Sequence, residues 1–179
     1  MLWHTALTQR LGLDYPIIQA PLAGGGDTPA LVAAVCEAGA LGFVGAAYLT
    51  PAQIVEAARA VRARTARPFG INLFAPLPAP ALVPEPGPAM ARVAPFYAEL
   101  GISLPTLPAS GAYTFDEQLA VALDSGAAVF SFTFGLLPTG AIEAIKDRGM
   151  CVMGTATTVG EAMTLAQAGI RLQCRNRMR

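Results

Sequence analysis

The sequence has little charge and lacks the segments that direct a chain to a membrane. Only 13% of its 179 residues are charged, and the twelve basic and twelve acidic residues cancel. A chain without net charge gives no reason to expect nucleic acid or an anionic membrane as its partner. We find no unbroken apolar run of about 20 residues, which a transmembrane helix needs. The amino end also lacks the charged and apolar regions of a secretion signal. We therefore expect a cytoplasmic protein with no membrane association.

Cysteine and histidine are scarce as well. The three cysteines, Cys36, Cys151 and Cys174, lie far apart and form no CxxC motif. An odd number of widely spaced cysteines is typical of reduced structural thiols, and it gives no pattern for a disulfide framework or a metal site. The single histidine, His4, precedes the first predicted strand. That position belongs to the amino-terminal face of a parallel sheet, so we expect His4 to have no catalytic role.

What the chain has in abundance is apolar residues, which make up 54% of it. Its length suffices for one domain with a full core. So many apolar residues with so little charge suit helices packed around a parallel sheet. Short apolar or β-branched runs alternate with helical patterns. Five of these runs predict buried strands: PIIQAPL (16–22), LGFVGAA (41–47), FGINLF (69–74), AVFSFTFG (128–135) and CVMGTATT (151–158).

The helical patterns have recognisable ends. Threonine caps a helix and proline fits its first turn, so Thr-Pro pairs predict helix starts at 28–29 and 50–51. A threonine followed three residues later by Glu or Gln predicts a capping box at 50–53, 114–117 and 158–161. Glycines suited to a left-handed helix end follow four patterns, at Gly39, Gly126, Gly149 and Gly169. Three of these glycines lead directly into a strand, which indicates repeated βα units.

One stretch departs from this alternation. Nine of the fifteen prolines lie between Pro76 and Pro108. The stretch could be a linker between domains. However, it leaves the carboxyl end of the third predicted strand, where barrels and open α/β sheets bind their ligands. We favour an insertion over 75–112 that forms a lid above a site, with a short helix around 89–100.

Two parallel architectures fit the pattern, an open doubly wound sheet and a (β/α)8 barrel. The length suits an open sheet. Yet the first turn, APLAGGGDTP, is not a GxGxxG motif, and GALGFVG continues into a strand, so neither marks a dinucleotide site. A barrel needs about 250 residues, and only five units fit here.

Four motifs resemble the nitronate monooxygenase family, formerly called 2-nitropropane dioxygenases. They are LTQRLGLDYPIIQAPLAGG, RPFGINLF, VFSFTFGLLP and GTATTVGEAMTLAQAG, and the match runs from about Leu7 to Gly169 in the order of the family. The resemblance implies an FMN-dependent (β/α)8 TIM barrel, of which this chain would hold about the first five β/α units, with its lid at 75–112. It also implies oxidation of alkyl nitronates, with oxygen, to a carbonyl compound and nitrite.

The resemblance implies which residues bind the flavin. Backbone at the end of the first strand lies against the flavin ring in the family, which here means Pro21, Leu22 and Ala23. The family's strand asparagine that contacts FMN corresponds to Asn72. Taken alone, Asn72 could equally be an amide that satisfies backbone groups at a strand end. The run at 24–26 could line a phosphate through its amides, but we favour a turn that lets a ligand approach closely.

The carboxyl end departs from the family. Members continue with a sixth strand, then with a flavin-binding glutamine, a glycine-rich turn and the histidine proposed as catalytic base; no residue here corresponds to that base. Instead, four arginines fall in residues 171–179: Arg171, Arg175, Arg177 and Arg179. We divide the chain into a partial barrel, 1–170, and an aberrant basic tail, 171–179. An out-of-frame or prematurely ended coding sequence explains this tail best; a genuine basic tail and an unusual edge strand are the alternatives.

Three functions follow from these observations. The first is FMN-dependent nitronate oxidation, with the 179-residue chain expected to be an inactive truncated form. The second is a non-catalytic half-barrel that associates with itself or with another fragment through exposed sheet edges. The third is a flavin barrel similar to the enoyl-thioester reductases.

Overall fold

The computed structural model of the chain describes residues 4–77, 85–106, 113–170 and 172–175, the last four by their backbone alone. The chain divides into two compact units. The first comprises Met1–Leu77 with Tyr113–Arg179, and the second is Pro78–Ala112. In the described ranges, no helix is both long and apolar enough to cross a membrane.

The described residues form seven helices and five strands. The helices are α1 (Ala6–Leu11), α2 (Pro29–Glu37), α3 (Pro51–Arg62), α4 (Gly87–Glu99), α5 (Phe115–Leu123), α6 (Thr139–Asp147) and α7 (Val159–Gln167). The strands are β1 (Phe43–Gly45), β2 (Gly70–Phe74), β3 (Val129–Thr133), β4 (Cys151–Ala156) and β5 (Leu172–Arg175). Four of the five predicted strands are therefore present, each within or close to its predicted range.

The sheet decides between the two architectures. Its order is β1-β2-β3-β4-β5, and every neighbouring pair is parallel. A doubly wound sheet reverses its strand order at a switch point, whereas the strands of a βα barrel follow one another in chain order. The strands described here follow chain order throughout. The expected parallel α/β fold of a partial barrel is confirmed.

The first predicted strand, 16–22, is wrong as a strand. It is reduced to one bridge between Ile18 and Leu41, because the prolines at 16 and 21 have no amide hydrogen to donate. The Gln19 side chain takes over part of the ladder. Its oxygen accepts a 3.0 Å hydrogen bond from the amide of Phe43, and its nitrogen donates to the carbonyl of Phe43 at 3.3 Å.

Four residues of the predicted basic tail form a strand, as in the edge-strand alternative. Leu172–Arg175 pairs in parallel with β4, with Met153 opposite Leu172 and Ala156 opposite Arg175. A ladder is made of backbone groups, so a charged sequence can extend a sheet at its edge, where charged side chains are common. Residues 171 and 176–179 lie outside the described part.

The two faces of the sheet pack differently. Alternate strand residues such as Val44, Ile71 and Phe130 belong to a large core with the helices α2, α3, α5, α6 and α7. We call the opposite side the inner face. Its amino end is covered by α1, whose leucines pack against Phe43 and Val129. Moving along the strands, its next residues are Gly45, Asn72, Ser131 and Met153, which are partners in the register.

The predicted helix ends are largely confirmed. All three capping boxes form, at Thr50, Thr114 and Thr158. The four helix-ending glycines have positive φ angles. A fourth capping box, between Thr5 and Thr8, starts α1, which the sequence did not predict because threonine is less common than Glu or Gln in the second position of the box.

The second unit contains α4, at the place where a short helix around 89–100 was predicted. None of its residues is buried. Residues 78–84 and 107–112, about a third of the predicted insertion at 75–112, lie outside the described part. Its role as a lid stays a prediction.

Candidate functional site

Two buried polar side chains meet on the inner face. The side-chain nitrogen Nδ2 of Asn72 donates a 2.8 Å hydrogen bond to the hydroxyl of Ser131, and the two residues are only 3% and 6% exposed. They are partners in the β2–β3 register, so their side chains leave the sheet on the same face. The amide of Asn72 thus bonds a side chain of the neighbouring strand, and this bond fixes its orientation.

The loop at 21–23 is held by a carboxylate that the sequence did not single out. Oδ2 of Asp27 accepts a 2.9 Å hydrogen bond from the amide of Leu22 and a 2.5 Å bond from the amide of Gly45. One oxygen therefore fastens the loop to β1. The signal was present but ambiguous, because an aspartate just before a Thr-Pro helix start is usually taken as part of the cap.

Gly45 brings the predicted flavin-binding residues together. A Cβ atom at Gly45 would lie 2.8 Å from the carbonyl carbon of Leu22 and 2.8 Å from the amide nitrogen of Ala23. Only a glycine allows the loop to pass so close to β1. Gly45 is also the register partner of Asn72. The loop and the asparagine, which are far apart in the sequence, therefore flank one position on the sheet.

The glycine run at 24–26 forms a turn. All three glycines have positive φ angles, between 96° and 119°, and the amide of Gly25 donates to the carbonyl of Leu22 at 3.2 Å. The carboxylate of Asp27 lies beside this turn, lining a cavity together with Gly24 and Gly25. A negative charge at that place disfavours a phosphate and supports the interpretation as a turn.

The loop after β1 is tied to α5. The side-chain nitrogen of Gln118 donates to the carbonyls of Leu49, Ala47 and Ala46 at 2.8, 3.3 and 3.4 Å, and Gln118 is buried. The hydroxyl of Tyr113 donates to the carbonyl of Tyr48 at 3.1 Å. This loop is therefore a fixed part of the carboxyl edge of the sheet.

Three aromatic rings form a row along that edge. Phe74, the last residue of β2, meets Tyr48 edge-on with ring centroids 5.4 Å apart. On its other side it meets Phe134, just past β3, at 4.8 Å and an interplanar angle of 69°. Tyr48 is 62% and Phe134 57% exposed. Exposed aromatic side chains gathered at one edge are typical of a binding surface.

A cavity of about 610 Å³ opens beside this row, at the carboxyl ends of β3 and β4. Its walls include Phe134, Leu136 and Leu165, together with Thr133 and Thr155. Within the described ranges, Oγ1 of Thr133 is buried and has no hydrogen-bond partner. Such a volume is typical of a small-molecule site.

The amino ends of α5 and α7 are already occupied by carboxylates. Glu117 accepts from the amide of Thr114 at 2.6 Å, and Glu161 accepts from the amides of Thr157 and Thr158 at 2.6 and 3.1 Å. These amide hydrogen bonds, with those from the threonine hydroxyls, lower the pKa of both glutamates. A phosphate group cannot use these two helix ends while the carboxylates hold them.

Cys36, Cys151 and His4 lie away from the carboxyl edge of the sheet. Cys36 and Cys151 are buried free thiols, and burial raises the pKa of Cys36. Cys174 lies in the four residues whose side chains are not described. His4 directly precedes the Thr5 cap of α1, the helix that covers the amino end of the inner face. The described ranges hold no group of His, Cys, Asp and Glu that could bind a metal ion.

Comparisons with known proteins agree with one another. A family model described as nitronate monooxygenase matches residues 4–172. The nitronate monooxygenase of Paraburkholderia phytofirmans is 38% identical over 169 residues, which are 92% of this chain and 46% of that protein. A probable nitronate monooxygenase of Staphylococcus haemolyticus is 34% identical over 170 residues, 95% of this chain and 47% of that protein.

A solved structure shows the same likeness. Nitroalkane oxidase from Streptomyces ansochromogenes matches with a TM-score of 0.82 at 37% identity, over 96% of this chain and 48% of that one. The chain spans about half the length of the curated relatives that it matches.

Proposed function

The chain belongs to the nitronate monooxygenase family, and on that premise we propose that its site serves the flavin-dependent oxidation of alkyl nitronates. The products would be a carbonyl compound and nitrite, with oxygen as co-substrate. FMN, when bound, would supply the electron transfer and the activation of oxygen. One observation carries the proposal: the loop at 21–23 and Asn72 converge on Gly45, at the carboxyl half of the inner face.

The residues at this point suit a planar ring. Pro21, Leu22 and Ala23 offer rigid backbone, fixed to β1 through Asp27, against which a flat ring can lie. An amide side chain has two donor hydrogens and an accepting oxygen. The hydrogen bond from Asn72 to Ser131 uses one of them, which leaves capacity for a hydrogen bond to the flavin ring.

The proposed substrate is the nitronate anion. A nitronate has already lost the proton that a base would remove from a nitroalkane, so its oxidation depends on binding of the anion beside the flavin ring. His4 lies away from that place, next to the helix α1 at the amino end of the sheet.

The described residues offer more to the flavin ring than to its phosphate, because Glu117 and Glu161 occupy the amino ends of α5 and α7. We therefore expect riboflavin, which has no phosphate, to bind about as tightly as FMN. The expected affinity is weak for both.

The test is a titration of the 179-residue chain with riboflavin and with FMN, followed by quenching of flavin fluorescence. Asn72→Ala should weaken the binding of both ligands by about 1–3 kcal/mol, the value for a lost buried hydrogen-bond partner. Gln167→Ala removes an exposed amide at the end of α7 and should change neither affinity. Nitrite release from propyl nitronate with excess FMN is then measured, and the 179-residue chain, as a truncated form, should release none.

Two results would count against the proposal. If neither flavin binds, the convergence at Gly45 is not a flavin site. If both bind but Asn72→Ala and Gln167→Ala behave alike, Asn72 is not part of it.

A further inference from the structure

We propose that the cavity at the carboxyl ends of β3 and β4 receives the alkyl group of the substrate, and that Phe134 sets how long that group can be. This inference rests on the proposed function and adds to it a site for the part of the substrate that does not react.

The backbone of Phe134 is the first argument. Phe134 has a φ of +69° and is the one non-glycine residue with a positive φ among the described residues. This conformation is uncommon for bulky side chains, and it is retained only where the surrounding structure enforces it. With this backbone conformation, the ring of Phe134 remains more than half exposed. Burial in the core therefore gives no reason for the strain.

The direction of the ring is the second argument. Phe130 and Phe132 point to the helix side of the sheet and are buried in the core there. Alternation along the strand would send Phe134 to that same side. The left-handed turn instead places its ring against Phe74, which leaves the sheet on the same face as Asn72. The strained backbone thus moves an aromatic ring to the mouth of the inner face.

The chemistry of the cavity is the third argument. Phe134, Leu136 and Leu165 give it apolar walls. Glu161 is a charged residue in its lining, but the carboxylate is bound to the amides at the start of α7. The cavity therefore attracts no charged tail, and an alkyl or aryl group fits its walls best.

The unpaired hydroxyl of Thr133 supplies a contact for the polar end of the substrate. It has no partner among the described residues, and Thr133 lines the cavity. Ser131, the partner of Asn72, lies two residues earlier on the same face, a spacing of about 7 Å along a strand. The cavity and the ring site therefore lie at the same carboxyl edge of the sheet.

The experiment measures binding of ethyl, butyl and hexyl nitronate to the 179-residue chain by calorimetry, without flavin, so that no turnover occurs. For the unchanged chain, each added methylene should tighten binding up to about fourfold, as for a buried CH2 group. Phe134→Ala should weaken hexyl nitronate at least tenfold and ethyl nitronate less than twofold. Thr133→Val should weaken all three equally. Met163→Ala, an exposed change on α7, is the control and should leave the series unchanged.

Phe134→Gly is a second variant, which keeps the test valid if Phe134→Ala folds poorly. It removes the ring and also the backbone strain, so it should melt at a higher temperature than Phe134→Ala while showing the same loss of chain-length dependence. The inference is overturned if Phe134→Ala and Phe134→Gly keep the dependence of the unchanged chain, or if no nitronate binds. Riboflavin titrations of the same variants separate the two proposals. If riboflavin binds but the Phe134 variants keep the chain-length dependence of the unchanged chain, this inference alone is overturned. If riboflavin does not bind the unchanged chain, the result counts against the proposed function.

Discussion

Asn72 and Ser131 are joined by a 2.8 Å hydrogen bond across the β2–β3 pair, with both side chains buried. Their bond satisfies two polar groups that would otherwise be costly inside the sheet. Ser131→Ala removes the acceptor and should lower the free energy of unfolding by about 1–3 kcal/mol. Urea denaturation of Ser131→Ala, Asn72→Ala and the double variant gives the coupling energy directly. Additive losses would mean that the bond contributes nothing.

Asp27 should be needed for its accepting oxygen more than for its charge. Asp27→Ala leaves the amides of Leu22 and Gly45 without this acceptor, and we expect a loss of about 1–3 kcal/mol in the free energy of unfolding. Asp27→Asn keeps an oxygen that can accept both bonds, so its loss should be less than half as large. Equal losses in urea denaturation would show that the charge matters instead.

Gly45 should tolerate no side chain. The Cβ of Gly45→Ala would lie within 2.8 Å of backbone atoms of Leu22 and Ala23, and overpacking of this kind costs about 1–3 kcal/mol. Riboflavin affinity should fall as well, because the loop at 21–23 must move.

The matched control for that change is Gly140→Ala, in the first turn of α6. No atom lies within 4 Å of a Cβ placed there, and alanine is favoured over glycine in a helix by about 0.5–1 kcal/mol. Thermal unfolding should therefore show a higher melting temperature for Gly140→Ala and a lower one for Gly45→Ala. A stable Gly45→Ala would contradict the close approach.

The glutamates at the starts of α5 and α7 should make the chain sensitive to acid. Hydrogen bonds from backbone amides lower the pKa of Glu117 and Glu161 in the folded state. A lowered pKa means that the stabilisation is fully present above the ordinary glutamate value of about 4.3, and that it is lost as the pH falls through the folded value.

Glu161→Gln tests this dependence. It should melt below the unchanged chain at pH 7, and the difference should shrink at pH 3, which lies below the ordinary glutamate value of about 4.3. Glu143→Gln, at an exposed position of α6, serves as control. A difference for Glu161→Gln that is the same at both pH values would show that its carboxylate does not act as a charged cap.

Local sequence patterns predicted much of the fold. Helix starts at Thr50, Thr114 and Thr158 follow from hydrogen bonds within four residues, and the buried strands follow from apolar runs. Both signals act over short distances. The miss at 16–22 has a different cause: the apolar pattern of a strand is present, but the prolines remove donors from the ladder and the Gln19 side chain replaces them.

The candidate site was less accessible from the sequence. Asn72 and the loop at 21–23 entered through the family resemblance, while Ser131 and Asp27 entered only through the structure. A hydrogen bond between residues 59 positions apart leaves no periodic trace in a sequence. The orientation of Phe134 is equally hidden, because its position continues the alternation of Phe130 and Phe132 and only the backbone angle breaks it.

The order of the strands bears on how the chain is made. Each strand from β2 onward pairs with the strand synthesised just before it, so every new unit leaves the ribosome with its docking partner already complete. At about 5–20 residues per second, most units wait only seconds for their strand. The longest wait, about 3–11 s at that rate, is the step from β2 to β3, because the second unit lies between them in the sequence. Among the strand edges that later become paired, the edge of β2 is therefore exposed longest during translation, and that interval is when a chaperone or a second nascent chain has most opportunity to bind it.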